Sequence, residues 1–122
     1  MGKFVMITGK SGVKFNLKAG NGEIILSSEY YTGEAACRKG IASVRKNAPA
    51  APVEDQTEEN FAVKPHPKFE LYRDRAGEYR FRLKARNGEI IGVSEGYAAK
   101  SGCENGIASV QKNAADAETV SE

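Results

Sequence analysis

The side chains of this sequence best suited to chemistry are two cysteines, one histidine and two repeated glutamates: Cys37, Cys103, His66, Glu23 and Glu89. A cysteine thiolate can act as a nucleophile or as half of a redox pair. Histidine and a pair of carboxylates can act as general acid and base. All of these reactions need the groups to meet in one cleft, so the elements that carry them decide between chemistry and a structural role.

Both cysteines lie on apolar helical stripes. The stripes share a spacing of i, i+4 and i+7 and consist of Cys37, Ile41 and Val44, and of Cys103, Ile107 and Val110. A free cysteine on such a stripe behaves as a small hydrophobe, whereas a reactive thiolate needs a cationic, partly exposed setting. Core packing is therefore favoured over a nucleophile or a disulfide. Two cysteines without a CxxC pair and one histidine are too few ligands for a zinc site, and we predict no metal and no cofactor.

The other candidates favour structural roles as well. His66 lies between Pro65 and Pro67, where it is poorly positioned for acid–base chemistry, and we predict a solvated linker residue. Glu23 and Glu89 each follow an Asn-Gly pair at the exit of a hairpin, and no shared cleft is predicted for them. The sequence therefore predicts no catalytic residues, and a non-enzymatic binding or accessory module is favoured over a thiol-dependent enzyme.

An internal repeat governs the organisation of the chain. Residues 15–25 return as residues 81–91, and residues 40–48 return as residues 106–114, at an offset of 66. Over residues 15–49, 21 of 35 positions are identical to their equivalents. Each copy has roughly 50 residues, which is marginal for independent folding. We predict a first repeat over 1–55, an acidic linker over 56–66 and a second repeat over 67–122, completing one pseudo-twofold domain that is expected to be a monomer.

Each copy begins with three predicted strands. Phe15, Leu17 and Ala19 alternate with polar residues, and the same period of two returns from residue 80 onward, which is typical of half-buried strands. Asn-Gly pairs at 21–22 and 87–88 indicate hairpins with type I′ turns. A weak fourth strand is possible after each helix, over 52–55 and 117–120.

One helix is predicted in each copy. Thr32 is the expected N-cap of the first helix, and its equivalent, Ala98, predicts a less sharp start for the second. Gly40 and Gly106 lie mid-helix, where glycine costs about 1 kcal/mol relative to alanine. A close approach of each helix to the sheet would explain both glycines.

These repeated segments together resemble the YegP-like family of uncharacterised bacterial proteins. The resemblance rests on residues 15–25, 40–48, 81–91 and 106–114 and covers nearly the whole chain outside the linker. It implies an α+β fold with one antiparallel sheet built from both repeats and two helices on one face. It also implies exchanged C-terminal strands, with the strand near Val53 beside the second repeat and the strand near Val120 beside the first. The family brings no known activity and no site residues.

Basic residues of the second strands form the candidate anion-binding site. By alternation they should share the sheet face opposite the core with one aromatic side chain; the residues are Lys14, Lys18, Tyr72, Arg80, Arg82 and Lys84. Cations next to an aromatic ring on an open sheet are typical of single-stranded nucleic-acid binding. The alternative is a solvated face that resists aggregation.

Charge is unevenly distributed behind a net charge of +2. Residues 1–49 hold eight basic and three acidic side chains, whereas residues 50–67 hold one and four. A linker folded over the first copy would explain this without a partner; otherwise an unidentified protein or a nucleic acid could bind. No apolar run approaches the ~20 residues of a membrane span, and no signal peptide is visible, so we expect a cytoplasmic protein without a membrane partner.

Overall fold

A computed structural model describes residues 2–122 as two halves with the same order of elements, β-β-β-α-β. The first half contains β1 (Lys3–Gly9), β2 (Gly12–Lys18), β3 (Ile24–Ser27), α1 (Glu34–Asn47) and β4 (Val53–Asp55). The second half contains β5 (Lys68–Arg73), β6 (Tyr79–Lys84), β7 (Ile90–Val93), α2 (Lys100–Ala114) and β8 (Glu118–Ser121). A 3₁₀ turn over Ala48–Ala50 follows α1 and contains Pro49.

All eight strands form one sheet in the order β4-β5-β6-β7-β3-β2-β1-β8. The halves meet at its centre, where Ser27 of β3 is paired with Val93 of β7. The end strands are exchanged as the family resemblance implies, with β4 beside β5 of the second half and β8 beside β1 of the first. The α+β fold and the shared sheet are therefore confirmed.

The exchanged strands differ from expectation in direction. Both pair in parallel with their neighbours, so the sheet is mixed and the expectation of a wholly antiparallel sheet is wrong at both edges. Parallel neighbours cannot be joined by a tight hairpin and need a connection of a dozen or more residues. Residues 56–67 provide that length between β4 and β5, and most of the chain separates β1 from β8.

Both Asn-Gly hairpins form, but their turns differ from the predicted type I′. The φ angle is positive at Gly22 (87°) and Gly88 (84°) and not at the preceding asparagines. Gly22 N–H donates to the Ala19 carbonyl at 2.9 Å, and Ala19 N–H donates to the Glu23 carbonyl at 2.9 Å. This is the geometry of a three-residue loop that ends in a left-handed glycine.

The predicted helix caps are also corrected. The helix N-caps are Gly33 and Ala99, both with extended backbone and neither with a capping side-chain hydrogen bond. Thr32 lies immediately before the N-cap Gly33. The second helix begins at Lys100, which is equivalent to Glu34 at the start of α1, so the expected less sharp start of α2 is not observed. In the described part of the chain, neither helix has the length and apolar character needed to cross a bilayer.

A single apolar core lies between the two helices and one face of the sheet. In the first half, Phe4 meets Phe15 edge-on at 5.8 Å between ring centroids, and Phe15 is stacked with Tyr31 at 6.3 Å. The second half repeats both contacts with Phe69, Phe81 and Tyr97.

The two mid-helix glycines make room for these tyrosines. A Cβ atom at Gly40 would lie directly against the Tyr31 hydroxyl and 2.7 Å from Tyr31 Cζ, and one at Gly106 would lie 2.5 Å from Tyr97 Oη. The predicted close approach is thus present: a Cβ atom at Gly40 would also lie 3.2 Å from Phe15 of β2, and one at Gly106 would lie 3.0 Å from Phe81 of β6.

Replacing Gly40 with alanine should lower the free energy of unfolding by about 1 to 2 kcal/mol, because the clash with Tyr31 outweighs the gain in helix propensity. Gly102→Ala is the matched control: its Cβ would meet nothing closer than 3.4 Å, so stability should stay constant or rise by up to about 1 kcal/mol. Urea unfolding measures both changes. Equal effects of the two substitutions would contradict the assigned role of Gly40.

Candidate functional site

The open face is the sheet surface turned away from α1 and α2, and it carries all six residues predicted for anion binding. Those on β2 and β6 alternate with buried phenylalanine and leucine side chains, so they point to the same side. However, β3 and β7 lie between β2 and β6, which separates the two groups by roughly 14 Å. Lys14 and Lys18 therefore lie on one side of the sheet centre, about 13 Å apart along β2, and Arg80, Arg82 and Lys84 lie on the other side with Tyr72.

A row of cross-strand partners crosses the open face from edge to edge. From β4 to β8 it consists of Glu54, Glu70, Arg82, Val93, Ser27, Asn16, Val5 and Val120. Its second-half end is charged and its first-half end is uncharged. The two halves of the open face are therefore chemically different despite their shared fold.

A buried ion network neutralises the second-half end. Lys68 Nζ lies 2.7 Å from Glu54 Oε1 and 3.2 Å from Glu70 Oε2. Glu70 Oε1 also accepts from Arg82 Nε at 2.6 Å and lies 3.3 Å from Lys84 Nζ. Glu54, Lys68 and Glu70 are only 2%, 5% and 3% exposed. Two of the predicted anion-binding cations are thus already paired within the protein.

The linker completes this network. The Lys64 backbone N–H donates to Glu54 Oε1 at 2.8 Å, and Gln56 Nε2 donates to Glu54 Oε2 at 2.7 Å. Burial alone would raise the pKa of Glu54, but the hydrogen bonds from Lys68, Gln56 and Lys64 outweigh it and lower that pKa to about 2. Glu58 of the linker contacts Lys100 of α2. Because β4 pairs with β5 and Lys100 belongs to α2, the linker lies against the second-half end of the sheet, and the expectation that it folds over the basic first copy is wrong.

The remaining second-half candidates are also engaged. Arg80 Nε contacts Asp74 Oδ2 at 2.6 Å, and its Nη1 donates to the Ser94 carbonyl. This Arg80 hydrogen bond, together with a backbone donor, lowers the pKa of Asp74. The Arg82 guanidinium lies over the Tyr72 ring at 4.3 Å from its centroid, so one face of that ring is covered.

The first-half end of the open face lacks these acidic partners. The positions equivalent to Glu54 and Glu70 hold Val120 and Val5. Among residues 2–122, no carboxylate lies within 4.0 Å of Lys14 or Lys18. Lys14 Nζ instead lies 5.8 Å from the ring centroid of Tyr30.

Tyr30 and Lys3 lie beside the predicted residues of the candidate site, although the sequence did not indicate them. Tyr30 is 49% exposed, and Lys3 is paired in register with Lys18 across β1 and β2. Within residues 2–122, the one carboxylate that reaches Lys3 is that of exposed Glu118, at 4.0 Å. One difference between the copies could have indicated Tyr30: the first copy has this tyrosine where the second copy has Gly96. A shallow groove of about 390 Å³, the lysine groove, lies between Lys3 and Lys18, with Val5 and Val120 among its lining residues.

The side chains considered for catalysis do not form a reactive site. Cys37 and Cys103 are fully buried and free, and burial raises the pKa of both thiols, that of Cys103 to about 11. His66 is exposed, and Glu23 and Glu89 lie exposed on two different hairpins. Among residues 2–122, no group of three or more potential ligands could hold a metal ion.

Comparisons with family models, protein sequences and solved structures all point to one family. The family described as "Domain of unknown function (DUF1508)" matches residues 11–55 and 74–121. The UPF0339 protein YegP of Yersinia pestis is 44% identical over 114 residues, which cover 93% of this chain and 88% of that protein. The solution structure of Escherichia coli yegP, a protein of unknown function, has a TM-score of 0.79 at 38% identity and matches 99% of this chain and 92% of its own. The solution structure of UPF0339 protein SO3888 from Shewanella oneidensis has a TM-score of 0.80 at 32% identity, with coverages of 98% and 90%.

Removing one carboxylate from the ion network should destabilise the protein. Glu54→Val should lower the free energy of unfolding by about 3 kcal/mol, because Lys68 stays buried without its 2.7 Å partner. Glu118→Val on the other exchanged strand removes an exposed carboxylate and should change stability by less than about 0.5 kcal/mol. Urea unfolding distinguishes the two, and a Glu118→Val loss as large as that of Glu54→Val would contradict the importance of the buried network.

Acid should reveal Glu54 separately. Because its pKa falls from an ordinary 4.5 to about 2 on folding, its contribution is complete above the higher value and is lost as pH falls toward the lower one. That contribution is about 3 kcal/mol. Urea unfolding of Glu54→Gln between pH 6 and pH 2, roughly the range of linkage, should show a shallower pH dependence than the natural protein. Identical slopes would contradict the lowered pKa.

Proposed function

The chain belongs to the DUF1508 family, which includes the UPF0339 protein YegP and has no known function, and we propose that it acts as a small non-enzymatic binding or accessory module. The dispersal of its reactive side chains supports this proposal. The thiols of Cys37 and Cys103 lie in the core, and the candidate acid–base residues Glu23 and Glu89 are on separate exposed hairpins.

Purification from cells at native expression, followed by identification of bound protein and RNA, tests this proposal directly. Stoichiometric recovery of a defined partner would support a binding module. A catalytic activity that disappears on substitution of a single surface residue would overturn it.

A polyanion, such as a single-stranded nucleic acid, is the second candidate, and the unequal pairing of cations on the open face favours it. Lys14 and Lys18 have no carboxylate partner within 4.0 Å in the described chain, and they lie on the same half as the exposed ring of Tyr30. Cations with an aromatic platform bind the backbone and bases of single strands. We therefore place the main contacts on Lys3, Lys14, Lys18 and Tyr30, with a smaller contribution from the paired residues of the second half.

We also propose that the chain works as a monomer derived from an internal duplication, with repeats over 1–55 and 67–122. Each half supplies the edge strand that the other needs, which removes the need for a second chain. Two free, buried cysteines fit a reducing compartment such as the cytoplasm.

The double variant Lys14→Glu with Lys18→Glu should weaken binding of mixed-sequence single strands at least about tenfold at low salt, because two phosphate contacts become repulsive. The slope of log affinity against log salt should fall by about 1.4, at roughly 0.7 per lost phosphate contact. Fluorescence anisotropy over a salt series measures both quantities.

Lys39→Glu with Lys46→Glu is the matched control, because it makes the same charge change at exposed positions of α1, away from the open face. It should leave most of the affinity and the slope intact. Equal losses in both double variants, or no salt-dependent binding by the natural protein, would overturn the polyanion candidate. The broader proposal of a binding module would then rest on the partner identified from cells.

A further inference from the structure

A second potential site lies on the other side of Tyr30, in a cleft of about 540 Å³ between the two halves. From the first half it is lined by Glu29, Tyr30, Tyr31 and Lys39, and from the hairpin between β6 and β7 by Glu89 and Ile90. Its volume is within the usual range for small-molecule sites. The cleft belongs to neither the core nor the lysine groove of the open face.

Exposed apolar side chains line this cleft. Tyr30 is 49% exposed and Ile90 is 45% exposed. Small-molecule sites combine apolar and aromatic side chains with a few polar groups, which is the composition of this cleft. They offer an aromatic and an aliphatic surface to the apolar part of a ligand.

The carboxylates of the cleft have no cationic partners in the part of the chain that the structure describes. Among residues 2–122, no basic group lies within 4.0 Å of the Glu29 or Glu89 carboxylate. Asn87 holds Glu89 in place, since its Nδ2 donates to Glu89 Oε1 at 2.9 Å and its Oδ1 accepts from the Glu89 N–H at 3.0 Å. Burial raises the pKa of Tyr31, and the charges of Cys37, Glu29 and Glu89 raise it further. Glu29 and Glu89 both line the cleft that Tyr31 borders.

We propose that this cleft binds an organic ammonium ion with an apolar stem. Glu29 and Glu89 would hold the ammonium group, and Tyr30 and Ile90 would contact the stem. An ammonium ion close to a tyrosine ring also gains a cation–π interaction. Lys39 lines the same cleft and would repel a second positive charge, so a monoamine fits better than a polyamine.

The duplication provides an internal reference for this proposal. Glu95 and Glu23 occupy the positions equivalent to Glu29 and Glu89. Burial raises the pKa of Tyr97, and Cys103, Glu95 and Glu23 raise it further. Gly96, however, replaces Tyr30, and Asn105 replaces Lys39. The equivalent place in the other half keeps the carboxylates and lacks the aromatic wall.

Amide chemical-shift titration of the full chain with butylammonium tests the proposal. Saturable shifts should appear at Gly40, Asn87 and Ile90, and butyrate, which has the same stem length and the opposite charge, should not produce them. Glu89→Gln should weaken binding by about threefold to fivefold, and Tyr30→Gly by a similar factor. The equivalent substitution in the other half, Glu23→Gln, should leave the affinity unchanged.

A blocked lysine peptide distinguishes the source of the ammonium group. If the peptide binds more tightly than butylammonium, the result supports the proposal with a lysine side chain of a partner protein as the ligand. If butylammonium binds more tightly, the result supports the proposal with a free amine as the ligand. Equal shifts with butyrate, no saturable shift with either amine, or equal weakening by Glu23→Gln and Glu89→Gln would overturn it. Glu89 is not among the residues proposed to contact a polyanion. A loss of amine binding in Glu89→Gln therefore does not depend on whether the protein binds nucleic acid.

Discussion

The contact between Lys68 and Glu54, at 2.7 Å, joins the last strand of the first half to the first strand of the second. The exchanged edge of the sheet, the path of the linker and the neutralised charge at the second-half end of the open face are all tied to this contact. If β4 paired with β1 of its own half, Glu54 would lie against Val5, the residue equivalent to Glu70. If β8 paired with β5, Val120 would replace Glu54 beside Lys68. Either arrangement buries charge without its partner, which is strongly unfavourable, so charge favours the exchanged pairing over the unexchanged one.

Most of the fold could be predicted from repetition and period. The offset of 66 located equivalent elements, and alternation identified the buried face of each strand. Alternation contains no information on strand direction, so the parallel pairing of β4 and β8 was beyond its reach. Thr32 failed as a cap because the chain stays extended for one more residue, at Gly33. The Asn-Gly pairs predicted hairpins correctly, while the turn type depended on a positive φ at glycine alone.

The open face was predicted with the right side chains and with an incomplete account of their charge. Of the two carboxylates that neutralise Lys68, Glu70 is on the same strand, whereas Glu54 comes from the other half and is 14 residues away along the chain. No local pattern indicates such a partner, because strand exchange creates the contact. Tyr72 fitted the expected interleaving of aromatic and basic residues, yet Arg82 covers it, whereas Tyr30 lies outside the strands and is exposed. Differences between the two similar repeats, such as Tyr30 in place of Gly96, were the more informative signal.

Strand exchange also makes the two halves interdependent in unfolding. When β4 detaches, β5 of the second half loses its edge partner and Lys68 loses Glu54, and when β8 detaches, β1 of the first half loses its edge partner. Neither half can therefore unravel while leaving the other intact, and the chain should behave as one cooperative unit despite its modular sequence. A break of the exposed linker near Val63, which is 77% exposed, would leave two fragments that still complete each other's sheets. The duplicated protein therefore resembles a strand-exchanged dimer within one chain more than two independent domains joined by a linker.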